Sequence, residues 1–98
     1  MDRTFKALSD PSRREILRLL REQDLTAGEI ARHFPTSWAS VSHHLGVLKD
    51  AGLVLAEREG QYIRYSLNAT VLQEVLQHLL DLAQVRTPGK QMRGKAVP

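Results

Sequence analysis

The chain has 98 residues, 42% of them hydrophobic, no cysteine and a formal net charge of +3. That length supports a single core, and the lack of cysteine excludes disulfides and thiolate metal sites. No signal peptide is expected, because Asp2, Arg3, Lys6, Asp10, Arg13 and Arg14 interrupt the start, and no apolar run approaches the roughly 20 residues that span a bilayer. A cytoplasmic protein without membrane insertion is the expectation. Lys90, Arg93 and Lys95 all follow Thr87, and the other 11 basic residues are matched by 11 acids, so residues 1–86 are formally neutral. An argument for a polyanionic partner must therefore rest on where the charges sit.

Thr4–Leu8 forms a short helical turn with Phe5 and Leu8 on one side. Asp10 caps a second helix, with Pro11 at its first position, where the missing N–H costs nothing. That helix runs to about Gln23 with Ile16, Leu17, Leu19 and Leu20 as its apolar stripe. Thr26 and Glu29 have the spacing of a capping box and open a third helix, whose Ile30, Ala31 and Phe34 face the core. Pro35 closes it, since the residue before a proline avoids the helical region. Ser37 caps a fourth helix to about Ala51, with Val41, Leu45 and Leu48 as a buried seam and Gly52 as its terminator.

Two strands follow, Leu53–Glu57 and Tyr62–Leu67, around the turn Glu59-Gly60-Gln61. In the second, Ile63, Tyr65 and Leu67 alternate with Tyr62, Arg64 and Ser66. Asn68 is the expected N-cap of a last helix to about Val85. Its apolar residues cover more than half its circumference at about 100° per residue, more than one contact within its own domain can bury. The excess points to a partner surface, most simply the same helix of a second subunit, with Phe5, Leu8, Leu72, Val75, Leu76, Leu79 and Leu80 as the expected interface.

Helix, turn, helix and hairpin in this order predict an α+β fold, mainly α: a winged helix-turn-helix of five helices with a two-stranded wing. The fourth helix carries small polar residues on one flank, which let a backbone approach base edges in a DNA major groove. Glu, Lys or Gln would suit a merely solvated helix better. Ser37, Trp38, Ala39, Ser40, Ser42, His43 and His44 are the candidate contacts, with His44 nearest the buried seam. Trp38 can pack on a thymine methyl or sugar edge, or fold back on Pro35. Arg58, Gln61 and Arg64 on the wing are candidates to reach the minor groove or flanking phosphates, and Lys49, Arg13 and Arg32 are candidate phosphate contacts. Glu57 and Glu59 repel phosphate and leave a purely structural hairpin as the competing account.

The segments DPSRREILRLL, LTAGEIARHF, SVSHHLGVLKDAGLV and REGQYIRYSL, in this order and spacing, resemble the ArsR/SmtB family of bacterial winged-helix repressors over roughly residues 3–86. Within it the TAGEIA, SHHL and YSLN segments are similar to the SdpR-like autorepressors. The resemblance implies a homodimer packed through its first and last helices, an imperfect inverted-repeat operator on double-stranded DNA, and repression relieved by a signal, commonly a metal. The family's ligand positions fall here on Thr26, Gly28 and Ala31, and on Ala69, Val71, Leu82 and Val85, none of which binds metal well. His78 and Asp81 are expected as a surface ion pair rather than a site. No metal and no cofactor is therefore expected, and control through concentration or a regulatory partner protein is preferred.

No Gly-rich phosphate loop, nucleophile elbow or carboxylate pair supports an enzyme. The domain expectation is residues 1–86 for DNA binding and dimerisation and residues 87–98 as a disordered basic tail. The alternatives are a protein-interaction module and a repressor that senses a small molecule.

Overall fold

Side-chain caps define where most helices begin. The computed structural model describes residues 1–84, arranged as α1 (Asp2–Leu8), α2 (Pro11–Glu22), β1 (Leu25–Thr26), α3 (Ala27–Ala31), α4 (Trp38–Asp50), β2 (Val54–Glu59), β3 (Tyr62–Leu67) and α5 (Ala69–Leu82). Asp10 accepts from the backbone N–H of Ser12 at 2.8 Å and of Arg13 at 3.2 Å, with Pro11 as the first helical residue of α2. The capping box is complete: Glu29 N–H donates to Thr26 Oγ1 and Thr26 N–H donates to Glu29 Oε1. Ser37 Oγ accepts from Ser40 N–H. The Thr26 and Ser37 caps each contribute about 1 kcal/mol.

The helix ends obey the same local rules. At the end of α4, Gly52 N–H bonds Lys49 O and Leu53 N–H bonds Leu48 O, the paired bonds of a Schellman motif, with Gly52 at φ +79°. α3 stops at Ala31, earlier than the expected run through Phe34. Its exit tightens into i→i+3 bonds, His33 N–H to Ile30 O and Phe34 N–H to Ala31 O, because Phe34 precedes Pro35. Asn68 occupies the N-cap position of α5, yet its side chain makes no cap. It donates from Nδ2 to Gly52 O at 2.9 Å, tying the start of α5 to the end of α4.

The wing differs from the expectation in two respects: its first strand runs Val54–Glu59 rather than Leu53–Glu57, with Glu59 paired to Tyr62 instead of lying in the turn, and the sheet has three strands, in the order β1-β3-β2, all antiparallel. β1 is two residues long, too short for alternation to be legible, and pairs Leu25 with Tyr65 and Thr26 with Arg64. β2 and β3 pair from Val54↔Leu67 to Glu59↔Tyr62, around a Gly60-Gln61 turn whose Gly60 sits at φ +64°. By alternation Val54, Ala56 and Arg58 share a face with Leu67, Tyr65 and Ile63. The first residues of that face lie in the core, whereas Ile63, near the tip, is 40% exposed because the hairpin outruns the core.

The core joins Ile16, Leu17 and Leu20 of α2, Ile30 of α3, Val41, Leu45 and Leu48 of α4, and Ala7, Leu25, Leu53 and Val54. It fixes α4 by one face and leaves the opposite face free. On α5 only Val75 is buried within the chain. Val85 and the segment 87–98 lie outside the described residues.

Candidate nucleic-acid interface

The seam of α4 alternates with an outward stripe. Val41, Leu45 and Leu48 are buried, while Ser37, Trp38, Ala39, Ser42, His43 and Lys49 are exposed. Ser40 and His44 are half-buried, at the border between the two. Trp38 is 57% exposed at the first turn of α4. The sequence reading missed Gly46, one turn beyond Ser42 and His43 on the same stripe. A Cβ built there meets nothing within 4 Å, so no packing within the chain demands glycine. Glycine inside a helix costs roughly 0.5–1 kcal/mol relative to alanine, and a bare backbone at this place lets another surface come close.

The candidate basic residues separate into two kinds. Arg13 is held inside the fold: Nε donates to Ala7 O at 2.7 Å, Nη2 to Lys6 O at 3.1 Å, and Nη1 to His44 Nδ1 at 3.2 Å. The first two acceptors belong to the last turn of α1, where a cation also complements the helix dipole. Since guanidinium only donates, His44 Nδ1 must accept, which leaves His44 Nε2–H toward Asp10 Oδ1 at 4.0 Å. Partial burial works against the Asp10 charge. The backbone N–H groups of Arg13 and Ser12, with the Arg13 guanidinium adding to them, outweigh it and hold the carboxyl below its ordinary range. Arg13 and His44 thus position α1 against the start of α2 and the middle of α4.

Arg64 is similarly committed. Its Nε lies 3.0 Å from both carboxylate oxygens of Glu59, and its Nη1 reaches Asp24 O at 3.4 Å and Glu29 Oε1 at 3.9 Å. Glu29 is held below the ordinary carboxylate range chiefly by the Thr26 backbone N–H, with Arg64 and Arg32 adding to it against partial burial. The feared repulsion from Glu59 is therefore taken up internally. By contrast Arg58 is exposed, and its only bond among the described residues runs to the wing's own Gly60 O at 3.4 Å. Gln61 is exposed at the tip beside Tyr62, and Lys49 is exposed near the end of α4.

α5 lines an open apolar groove of about 420 Å³ with Leu8, Leu72, Val75, Leu76 and Leu79. Leu76 is 57%, Leu79 47% and Leu82 68% exposed, while Leu72, Leu80, Phe5 and Leu8 are half-buried. Val75, expected at an interface, is already 97% covered by its own chain, which shifts the free face toward Leu82. The expected His78–Asp81 ion pair is not formed. Asp81 accepts from Gln77 Nε2 at 2.9 Å, and the His78 ring lies 5.7 Å from that of Phe5. Among the described residues no three of His, Cys, Asp and Glu gather into a metal-binding group, and no helix is long and apolar enough to cross a membrane.

Comparison with known proteins gives this geometry its context. The family described as bacterial regulatory protein, arsR family, matches residues 10–55, from the cap of α2 into the wing. The transcriptional repressor SdpR of Bacillus subtilis (strain 168) is 53% identical over 81 residues, 83% of this chain and 90% of that protein. The arsenical resistance operon repressor of Staphylococcus aureus is 40% identical over 75 residues, 76% of this chain and 72% of that protein. Among solved structures, an ArsR-like transcriptional regulator from Rhodococcus sp. RHA1 superposes with a TM-score of 0.77 at 30% identity, covering 98% of this chain and 87% of that one. These relatives are regulators and not enzymes. The chain belongs to the arsR family of bacterial regulatory proteins and is a DNA-binding transcriptional regulator of the winged-helix kind.

Proposed function

We propose that the chain is a homodimeric repressor that binds an imperfect inverted repeat in its own promoter. The observation that carries this reading is the exposed stripe of α4, where Ser42 and His43 flank a bare backbone at Gly46. In the dimer two such helices enter successive major grooves on one face of the duplex, about 10 bp apart. Ser37, Trp38, Ala39, Ser40, Ser42 and His43 face the bases and adjoining phosphates, with Arg58, Gln61 and Lys49 on the flanking backbone. The apolar face of Leu76, Leu79 and Leu82 supports pairing through α5: each leucine removed from water contributes roughly 1.5–3 kcal/mol.

Control without metal is part of the reading. The family resemblance places the ligand positions of metal-responsive members on Thr26, Gly28, Ala31, Ala69, Val71, Leu82 and Val85, and Thr26 is occupied in the capping box. A repressor set by its own concentration, or by a protein that removes the free dimer, fits that chemistry.

The test is a mobility shift and footprint on the protein's own promoter, run on chelator-treated protein with and without zinc. A symmetric footprint unaffected by zinc is expected. Absence of a specific complex overturns the operator assignment. A stoichiometric zinc site that weakens DNA binding tenfold, about 1.4 kcal/mol of coupling, overturns the metal-independent part.

A further inference from the structure

Beside the recognition helix lies a cleft that neither the wing nor the outward stripe of α4 accounts for. It is open, about 560 Å³ in volume, and lies between α1 and α4, with Arg13 of α2 in its wall. Arg3, Lys6, Arg13 and His43 line it, and among the described residues Asp50 is its one acid. Arg3 and Lys6 are three residues apart on α1, so their side chains rise from one helical face. Both are exposed, and among the described residues neither forms an ion pair or a side-chain hydrogen bond. Arg13 behaves differently: its guanidinium is fastened to the Lys6 and Ala7 carbonyls and to His44. It therefore holds α1 against α4 while adding a fixed positive charge to the wall.

We propose that this cleft is a phosphate clamp, in which Arg3 and Lys6 grip the DNA backbone beside the groove entered by α4. The inference rests on the DNA-binding reading given above and adds two contact residues to it.

Three observations favour DNA backbone as the occupant. First, His43 belongs both to the cleft wall and to the exposed stripe of α4, so a duplex seated on that stripe passes the mouth of the cleft. Second, three permanent cations face a single carboxylate. Asp50 lies two helical turns beyond His43, roughly 10 Å along α4, away from the end nearest the groove. Third, the two gripping cations are spare, whereas Arg14, Arg18, Arg21 and Arg64 are bonded within the fold. Phosphate contacts of this kind fix register on the duplex and carry no base information.

The test compares Arg3→Ala/Lys6→Ala with Arg18→Ala/Arg21→Ala, a control that removes two cations engaged with Glu15 and Glu22. Affinity is measured from 50 to 300 mM salt on the promoter duplex and on an unrelated duplex. Losing two phosphate contacts per subunit lowers the slope of log K against log salt by about 1.8 per subunit bound. The clamp variant should show that drop, lose affinity equally on both duplexes, and keep the wild-type melting temperature. An unchanged slope, or an equal drop in the control, overturns the clamp. A second arm uses wild-type protein on promoter duplexes carrying single neutral methylphosphonates outside the footprinted major grooves. One or two positions should weaken wild type while leaving the clamp variant indifferent, and equal losses in both proteins overturn the proposal. Should wild type bind no duplex at all, the DNA-binding reading itself fails, and the clamp with it.

Discussion

α4 and α5 are helices of almost equal length, 13 and 14 residues, with opposite surfaces. α4 buries Val41, Leu45 and Leu48 and turns serine, histidine and glycine outward. α5 buries Val75 alone and turns out Leu76, Leu79 and Leu82. Helical period makes both amphipathic; what distinguishes them is which face the core takes. The α4 core face takes its aliphatic seam and leaves, apart from Trp38 at the first turn, a polar stripe suited to a hydrated polyanion. The α5 contact leaves leucines in water, a surface suited to another apolar face. One domain thus offers two exposed surfaces of different chemistry on different helices.

The comparison breaks most completely at α5. Leu76→Glu with Leu79→Glu should leave a monomer at micromolar concentration in sedimentation, because it places charges on the proposed seam, and should remove operator binding with it. A dimer that survives the double change would reject α5 as the seam. On α4, Ser42→Ala with His43→Ala should abolish specific footprinting while leaving melting temperature and sedimentation unchanged. Base contacts of this type are worth about 1–3 kcal/mol each, so retention of the footprint would remove α4 as the reader.

The wing gives a smaller contrast. Arg58→Ala should weaken operator and unrelated duplexes alike and lower the salt slope by about 0.9 per subunit. Arg64→Ala should alter the slope less, because its guanidinium already lies against Glu59. Equal slope changes would erase the distinction between the free and the committed arginine. The smallest effect belongs to Gly46→Ala, which should stabilise the fold by roughly 0.5–1 kcal/mol in denaturant melts and weaken operator binding. A stabilised variant with undiminished affinity would show that DNA does not approach α4 closely there.

Much of the fold was legible because its signals are local. Asp10-Pro11, Thr26 with Glu29, Ser37 and Gly52 each act within a few residues of themselves, and each performs the capping or terminating role its chemistry predicts. The seam of α4 followed from spacing alone. Asn68 shows where such reading fails. It is a good cap by type, but a carbonyl 16 residues away at Gly52 takes its amide instead. Gly46 went unnoticed because a helical glycine is informative only once the space around it is known to be empty.

By itself the sequence determined the order of the helices and the hairpin, the caps of α2, α3 and α4, the buried faces of α2 and α4 and the family resemblance, since all of these depend on residue type and spacing. Tertiary structure alone decided which charges are free. Arg13, Arg64 and Arg58 are alike as letters, and Lys6 carries the same charge. Chain folding brings the α1 carbonyls and His44 to Arg13, and Glu59, Glu29 and the Asp24 carbonyl to Arg64, while among the described residues Arg58 and Lys6 pair with no acid. It also decided that β1 joins the wing and that Val75 is covered while Leu76 is not. A guanidinium's role depends on the acceptors within about 3 Å of it, and those come from residues that are distant in sequence.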